Sequence, residues 1–160
     1  MAEHETETII IDDIVAMGAV RQVQKDKWKP SEKVKRYRAY RDELRLKIPQ
    51  NFAMPSEGYH LTFYLPIPAS WSKKKRAAME GQPHQSKPDK DNLEKAFLDA
   101  ILSDDAQVWD GRVSKRWSAS PRIELCIGRS ASGKRSGTSA SATSGKAGSA
   151  SSRHRFSNQS

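Results

Sequence analysis

Asp89 and Asp91 stand two residues apart in Lys87-Pro88-Asp89-Lys90-Asp91-Asn92-Leu93-Glu94-Lys95, just ahead of a short amphipathic stretch. In an extended segment, residues i and i+2 point the same way, about 7 Å apart along the chain, so both carboxylates could reach one hard cation. Pro88 keeps Lys87 out of the helical region and favours an extended approach to the pair. Holding two such charges together disfavours their joint ionisation unless a cation compensates. Magnesium suits the pair, because it takes oxygen ligands, keeps several waters and binds substrate phosphate directly. Asp91-Asn92-Leu93-Glu94 also fits a capping box, with Asp91 at the N-cap and Glu94 at N3, a reading that leaves Asp89 without a purpose. Lys95 either pairs with Asp91 or Asp99 on the helix surface, worth about 0.2–0.5 kcal/mol, or neutralises charge building on a phosphorane or leaving oxygen. Asp104-Asp105 is either a helix-ending turn or a second part of the site. A helix of about ten residues spans about 15 Å. Its two ends share one ion only if the following loop returns toward Asp91, or if Asp105 comes across a symmetric dimer. Carboxylates, a lysine and a basic chain together point to phosphodiester chemistry.

The chain that must position these groups has 160 residues, enough for one domain with a modest core. No apolar run approaches the roughly 20 residues of a membrane span, and the start, Met1-Ala2-Glu3-His4-Glu5, is acidic where a signal peptide is basic. A cytoplasmic protein is the expectation. The single cysteine, Cys126, leaves no internal disulfide and no Cys-cluster zinc site, and reads as a core or interface thiol on a strand. The histidines, His4, His60, His84 and His154, are scattered without ligand spacing.

The net charge of +9 is unevenly spread. Residues 130–160 hold five cations and no acid, which leaves +4 for residues 1–129. Met1 to Asp13 has five acids and no Lys or Arg, whereas Arg21 to Lys47 has eleven cations against four acids. Such segregation suggests a basic face for a polyanion, against the plainer alternative of a solvated helix surface.

Thr8-Ile9-Ile10-Ile11 reads as a short buried strand. A basic loop, Val20 to Pro30, carries Trp28 among Lys25, Lys27 and Lys29. From Ser31 the spacing of Val34, Tyr37, Tyr40, Arg41, Leu44 and Ile48 predicts a helix that ends at Pro49. Tyr59 to Leu65 reads as a central strand, apolar on both faces and closing at Pro66. Ser70-Trp71-Ser72-Lys73-Lys74-Lys75-Arg76 sets four consecutive cations beside a tryptophan, the composition of a nucleic-acid surface. Leu93 to Leu102 is the clearest helix, with Leu93, Ala96, Phe97, Ala100 and Ile101 on its buried side. Val108 to Trp117 and Arg122 to Ile127 read as an antiparallel pair of strands. Past Gly128 the chain is rich in Ser, Gly and Ala and too poor in apolar residues to offset its ordering entropy, so residues 130–160 are expected to be a disordered basic tail.

Lys87 to Ala96 through Asp104-Asp105-Ala106-Gln107-Val108 resembles the signature of the RusA family of Holliday junction resolvases. Lys25 to Pro30, Arg36 to Leu44, Ser70 to Arg76 and Gly81 to Gln85 resemble its phage-type branch. The resemblance covers roughly residues 14 to 127, within a domain of residues 1–129. Carried over by motif position, it implies essential acids at Asp89, Asp91 and Asp105 and a catalytic lysine at Lys95, with Asp104 as the neighbouring acid. Some members have an arginine directly before the first Asp. Pro88 stands there here, so Lys87 or Lys90 would take over that DNA contact, beside Lys73, Lys74, Lys75 and Arg76. The fold implied is α+β, a small two-layer mixed α/β domain with two main helices on a sheet, in a homodimer. The activity implied is Mg²⁺-dependent (or Mn²⁺-dependent) cutting of a four-way DNA junction by paired symmetric nicks, in recombination and repair. A twofold enzyme matches the approximate twofold symmetry of such a junction. Two other readings stay open on the residues alone: a basic DNA-binding protein without catalysis, and a metal-dependent nuclease for other branched nucleic acids.

Overall fold

A computed structural model describes residues 6–128 of the chain. The expected tail, 130–160, lies outside the described residues. Along the chain come β1 (Thr6–Asp12), a 3-10 turn (Gln24–Lys27), α1 (Glu32–Lys47), β2 (Tyr59–Pro66), α2 (Lys73–Met79), α3 (Lys90–Ile101), β3 (Gly111–Ser118) and β4 (Arg122–Gly128). The domain is mixed α+β, with four strands in the order β1-β4-β2-β3. Among the described residues, no helix is long and apolar enough to cross a membrane.

Helix α1 forms where its pattern predicts. Ser31 is the N-cap, its hydroxyl accepting from the Val34 amide, and the helix closes at Ile48, ahead of Pro49. Val34, Tyr37, Tyr40 and Leu44 are its buried residues. Lys47 in the last turn donates to the Asp12 and Asp13 carbonyls at 3.0 and 2.7 Å, which ties the helix end to the end of β1.

The sheet corrects two expectations. β3 and β4 are not neighbours: β3 lies parallel to β2, with Tyr59 opposite Gly111 and Leu65 opposite Trp117. β4 lies antiparallel to β2 and β1 on the other side, with Ile123 opposite Phe63 and Ile11. The physical reason is the crossover: α2 and α3 carry the chain from the end of β2 back to its start, so β3 must run parallel to β2. β1 is an edge strand rather than a buried one; Ile11 is buried, but Ile10 is 54% exposed.

β2 is central, as its density of apolar residues predicts, though its two faces differ. Tyr59, Leu61, Phe63 and Leu65 point into the core that α1 and α3 cover, where Phe97 meets Phe63 edge-on at 6.4 Å. The opposite face is polar: His60 Nε2 lies 2.8 Å from Ser114 Oγ, and the Arg122 guanidinium lies 3.7 Å over the Tyr64 ring. Cys126 lies half-buried on β4, with Thr8 Oγ1 at 3.6 Å from its sulfur.

Candidate active site

Helix α3 places the acid pair. Its buried side is Leu93, Ala96, Phe97, Leu98 and Ala100, which adds Leu98 to the expected set and leaves Ile101 half-buried. The helix begins earlier than the capping-box reading has it. Asp89 is the N-cap, extended at φ −69° and ψ 146°, and Asp91 lies in the first helical turn. Asp91 is therefore not the cap, and the two acids do not share one extended segment. The Asp89 side chain makes no capping hydrogen bond. Both carboxylates are exposed, and among the described residues neither meets a cation within ion-pair distance. The helix N-terminus favours both negative charges.

The turn ahead of Asp89 is clamped from β3. The Lys115 ammonium donates to the Ser86 carbonyl at 2.6 Å and to the Pro88 carbonyl at 2.7 Å, and the Lys87–Pro88 peptide bond is cis. The His84 amide donates to the Lys115 carbonyl, and Gly81 and Gln82 pair with Trp117, so residues 81–84 run along the edge of β3. His84 is buried, its ring 3.9 Å from that of Trp117, and its Nδ1 accepts from the Ser86 amide. Burial, and then the Lys115 charge, hold its pKa below the usual histidine range, which suits a neutral accepting ring.

Two further contacts hold α3 in place. The Ala19 amide donates to the Asn92 carbonyl at 3.0 Å, which ties the segment after β1 to the helix start. On the core side the Tyr59 hydroxyl donates to the Glu94 carboxylate; burial, then that carboxylate, push the phenol pKa upward. The Tyr59 ring in turn lies over Gly111, where a Cβ would come within 2.1 Å of it. A cavity of about 470 Å³ opens beside Asp89, walled by Met17 to Ala19, Lys33, Lys87, Pro88 and Asn92.

Lys95 is one turn on from Asp91, on the same side of α3. It is exposed and pairs with neither Asp91 nor Asp99. Asp99 instead lies near the Tyr37 hydroxyl at 3.5 Å. Asp104 and Asp105 follow the other end of α3. Asp104 Oδ1 accepts from the Ala106 amide at 3.0 Å, which makes it the turn-forming acid, while the Asp105 carboxylate has no hydrogen-bond partner among the described residues. Asp89 caps and Asp91 enters a helix of twelve residues, about 18 Å of rise, whose other end leads to Asp105. Among the described residues, no three His, Cys, Asp or Glu side chains gather closely enough to hold a metal ion, so Asp105 does not join the pair within one chain.

The pair nevertheless fits Mg²⁺. Two free carboxylates at a helix start supply the one or two protein ligands that this ion takes beside water and phosphate. Of the expected DNA contacts, Lys73, Lys74, Lys87 and Lys90 are exposed or partly so, with Lys87 on the wall of the cavity beside Asp89. Lys75 is also exposed but lies 4.0 Å over the Trp71 ring, and Arg76 is half-buried. Lys115, His84 and Tyr59 are the residues that sequence reasoning passes over. One signal was available for Lys115: the strand period puts it on the inward side of β3 with Val113 and Trp117, where a lysine must find acceptors.

The family model described as "Endodeoxyribonuclease RusA" matches residues 15–128. The chain is also similar to "Uncharacterized protein YqaN" of Bacillus subtilis (strain 168), 44% identical over 72 residues that make up 40% of this chain and 51% of that protein. The chain thus spans about half the length of the curated relative it matches. The matched family segment runs from just after β1 to the end of β4 and takes in the acid pair, Lys95, Lys115 and Asp105, and with that match the chain belongs to the RusA endodeoxyribonuclease family.

Proposed function

We propose that this protein is a Mg²⁺-dependent, structure-selective endonuclease that acts as a homodimer on four-way DNA junctions and resolves them by paired symmetric nicks. The observation that carries the reading is the free Asp89 and Asp91 pair at the start of α3, with an unpaired Lys95 one turn on, in a member of the RusA family. Among the described residues, Asp89 makes no side-chain cap and none of the three makes an ion pair, which supports this reading over caps and surface pairs.

Asp89 and Asp91 would hold the ion, with Mn²⁺ as a substitute for Mg²⁺. When bound, the ion supplies Lewis-acid polarisation of the phosphate and a more acidic water. The protein's own groups do the rest. Lys115, His84 and Tyr59 keep α3 and its leading turn fixed, so the acids need little rearrangement when substrate arrives. A water oxygen attacks phosphorus in line, the new P–O bond forms as the bond to the leaving oxygen breaks, and the water's proton ends on that oxygen. The Lys95 ammonium neutralises charge on the phosphorane and leaving oxygen. Lys87, two residues before Asp89, and Lys90, between the two acids, hold neighbouring phosphates, with Lys73, Lys74, Lys75 and Arg76 elsewhere on the chain. Asp105 completes the site from the partner subunit, since its place in one chain is at the far end of α3.

The test is a synthetic mobile four-way junction incubated with the native chain or Asp91→Asn, with and without Mg²⁺. Symmetric nicks that need both Mg²⁺ and Asp91 are expected. A junction bound yet uncut at every magnesium concentration would leave a DNA-binding protein without catalysis. A panel of forks, flaps and structured RNA separates a junction resolvase from a nuclease of other branched nucleic acids.

A further inference from the structure

We infer that Trp28 is a stacking residue that takes the face of an unpaired nucleobase near the acid pair, with Lys25, Lys27 and Lys29 holding the phosphates on either side. This rests on the nuclease reading above and concerns how a branch is told from plain duplex.

Trp28 is 91% exposed, so its indole adds almost nothing to the core. The segment that carries it is nevertheless built. Residues Gln24–Lys27 form a 3-10 turn, the Trp28 and Lys29 amides both donate to the Lys25 carbonyl at 3.2 and 3.0 Å, and Pro30 leads directly into the Ser31 cap of α1. The one acid of the loop is turned inward. Asp26 is buried, its carboxylate accepts from the Val23 amide at 2.8 Å, and its carbonyl receives the Arg38 guanidinium at 3.1 Å. Arg38 also donates to Gln22 Oε1 at 3.0 Å. With that charge hidden, the outward surface consists of three exposed lysines around an exposed indole. Cations beside an aromatic face are what single-stranded nucleic acid uses: the lysines meet phosphate and the ring meets a base of any identity.

The loop also lies at the right end of the molecule. The segment that enters it is hydrogen-bonded to α3 through Ala19 and Asn92, and Lys33, in the first turn of α1, walls the cavity beside Asp89. Lys33 lies five residue steps on from Trp28, a reach of at most about 18 Å, or about five nucleotide steps along one strand. In a continuous duplex the base faces are hidden in the stack; at a branch they open. Stacking on Trp28 therefore adds to junction affinity and not to duplex affinity.

The test compares binding of a four-way junction and a linear duplex of the same sequence, without divalent metal, for the native chain, Trp28→Ala, Trp28→Phe and Lys25→Ala/Lys27→Ala/Lys29→Ala. Trp28→Ala is expected to weaken junction binding roughly ten- to a hundredfold and leave duplex binding unchanged. Trp28→Phe should restore most of the loss, because it keeps a stacking face. The triple lysine variant should weaken both DNAs alike and flatten the salt dependence, by about 0.9 in log–log slope for each phosphate no longer neutralised. Junction binding by Trp28→Ala equal to the native chain overturns the inference, as does equal loss on both DNAs. A change in oligomeric mass for Trp28→Ala overturns it too, since Trp28 would then be a protein contact. A native chain that prefers the junction but does not cut it with Mg²⁺ defeats the nuclease reading, while the binding comparison still decides Trp28.

Discussion

Lys115 on β3 donates to the Pro88 carbonyl at 2.7 Å and so holds the turn from which Asp89 leaves. The same ammonium takes the Ser86 carbonyl at 2.6 Å, so one side chain spans both ends of the three residues that precede the acid pair. A lysine on the inward side of a strand is unfavourable without acceptors, and here the backbone supplies them. Its charge is spent on these two carbonyls.

Replacing Lys115 with Ala should lower junction cleavage about 10²-fold, the cost of misplacing groups by about an ångström. Stability should fall by about 1–3 kcal/mol, in the range for losing charge-assisted hydrogen bonds. Lys115→Arg, which can still donate to two carbonyls, should recover most of both. DNA affinity measured without metal should hardly change for either variant. That split between kcat and binding separates a positioning residue from a phosphate contact.

Lys95→Ala tests the opposite kind of lysine. Since it pairs with no acid among the described residues, its loss should leave the thermal midpoint unchanged. Cleavage should fall about 10²–10³-fold, the usual cost of removing one charge-stabilising donor. Unchanged cleavage would make Lys95 a solvated surface residue.

Gly111→Ala should destabilise the fold although Gly111 is exposed. The added methyl would stand 2.1 Å from the Tyr59 ring, which is buried and bonded through its hydroxyl to Glu94 on α3. Overpacking of this kind costs about 1–3 kcal/mol. In a Tyr59→Ala background the same change should cost much less, and denaturant titration of the four proteins of that cycle measures the difference.

The two described histidines set an acid limit. Burial, then Lys115, lower the pKa of His84; burial, then Arg112 and Arg116, lower that of His60. Each binds its proton more weakly folded than unfolded. Below the unfolded value near 6.5 the unfolded chain therefore takes up more protons, and stability falls as pH falls. Urea titrations at about pH 7.5 and about pH 5.5, on either side of that value, should show this loss, and His84→Gln should reduce it. If the midpoint is flat across that range, the histidines are not held neutral.

How much of this is legible in the sequence depends on how local the cause is. Ser31, the spacing from Val34 to Leu44 and the stop at Pro49 mark α1 because a cap, a periodicity and a breaker all act within a few residues. α3 and the central place of β2 are legible for the same reason, and so is the acid pair with Lys95 one turn on. The start of α3 is less so, because its N-cap is Asp89 where the pattern points to Asp91. Asp91-x-x-Glu94 is a proper capping pattern, but Glu94 is taken by the Tyr59 hydroxyl, and the turn before Asp89 is held by Lys115 from another strand. The pairing of β3 with β2 rather than β4 is hidden as well, because a strand's neighbour is chosen by a crossover and a shared core.

By itself, then, the sequence determined which residues are candidates for the chemistry and which helix presents them, since residue type and short-range spacing suffice for that. Only the tertiary structure decided that Asp105 stands apart from Asp89 and Asp91 in one chain, that Asp104 is spent on its own turn, and that Lys115 holds the pair. Each of these depends on where the chain goes after a local element ends, and that is set by the rigid length of α3 and the register of the sheet it crosses.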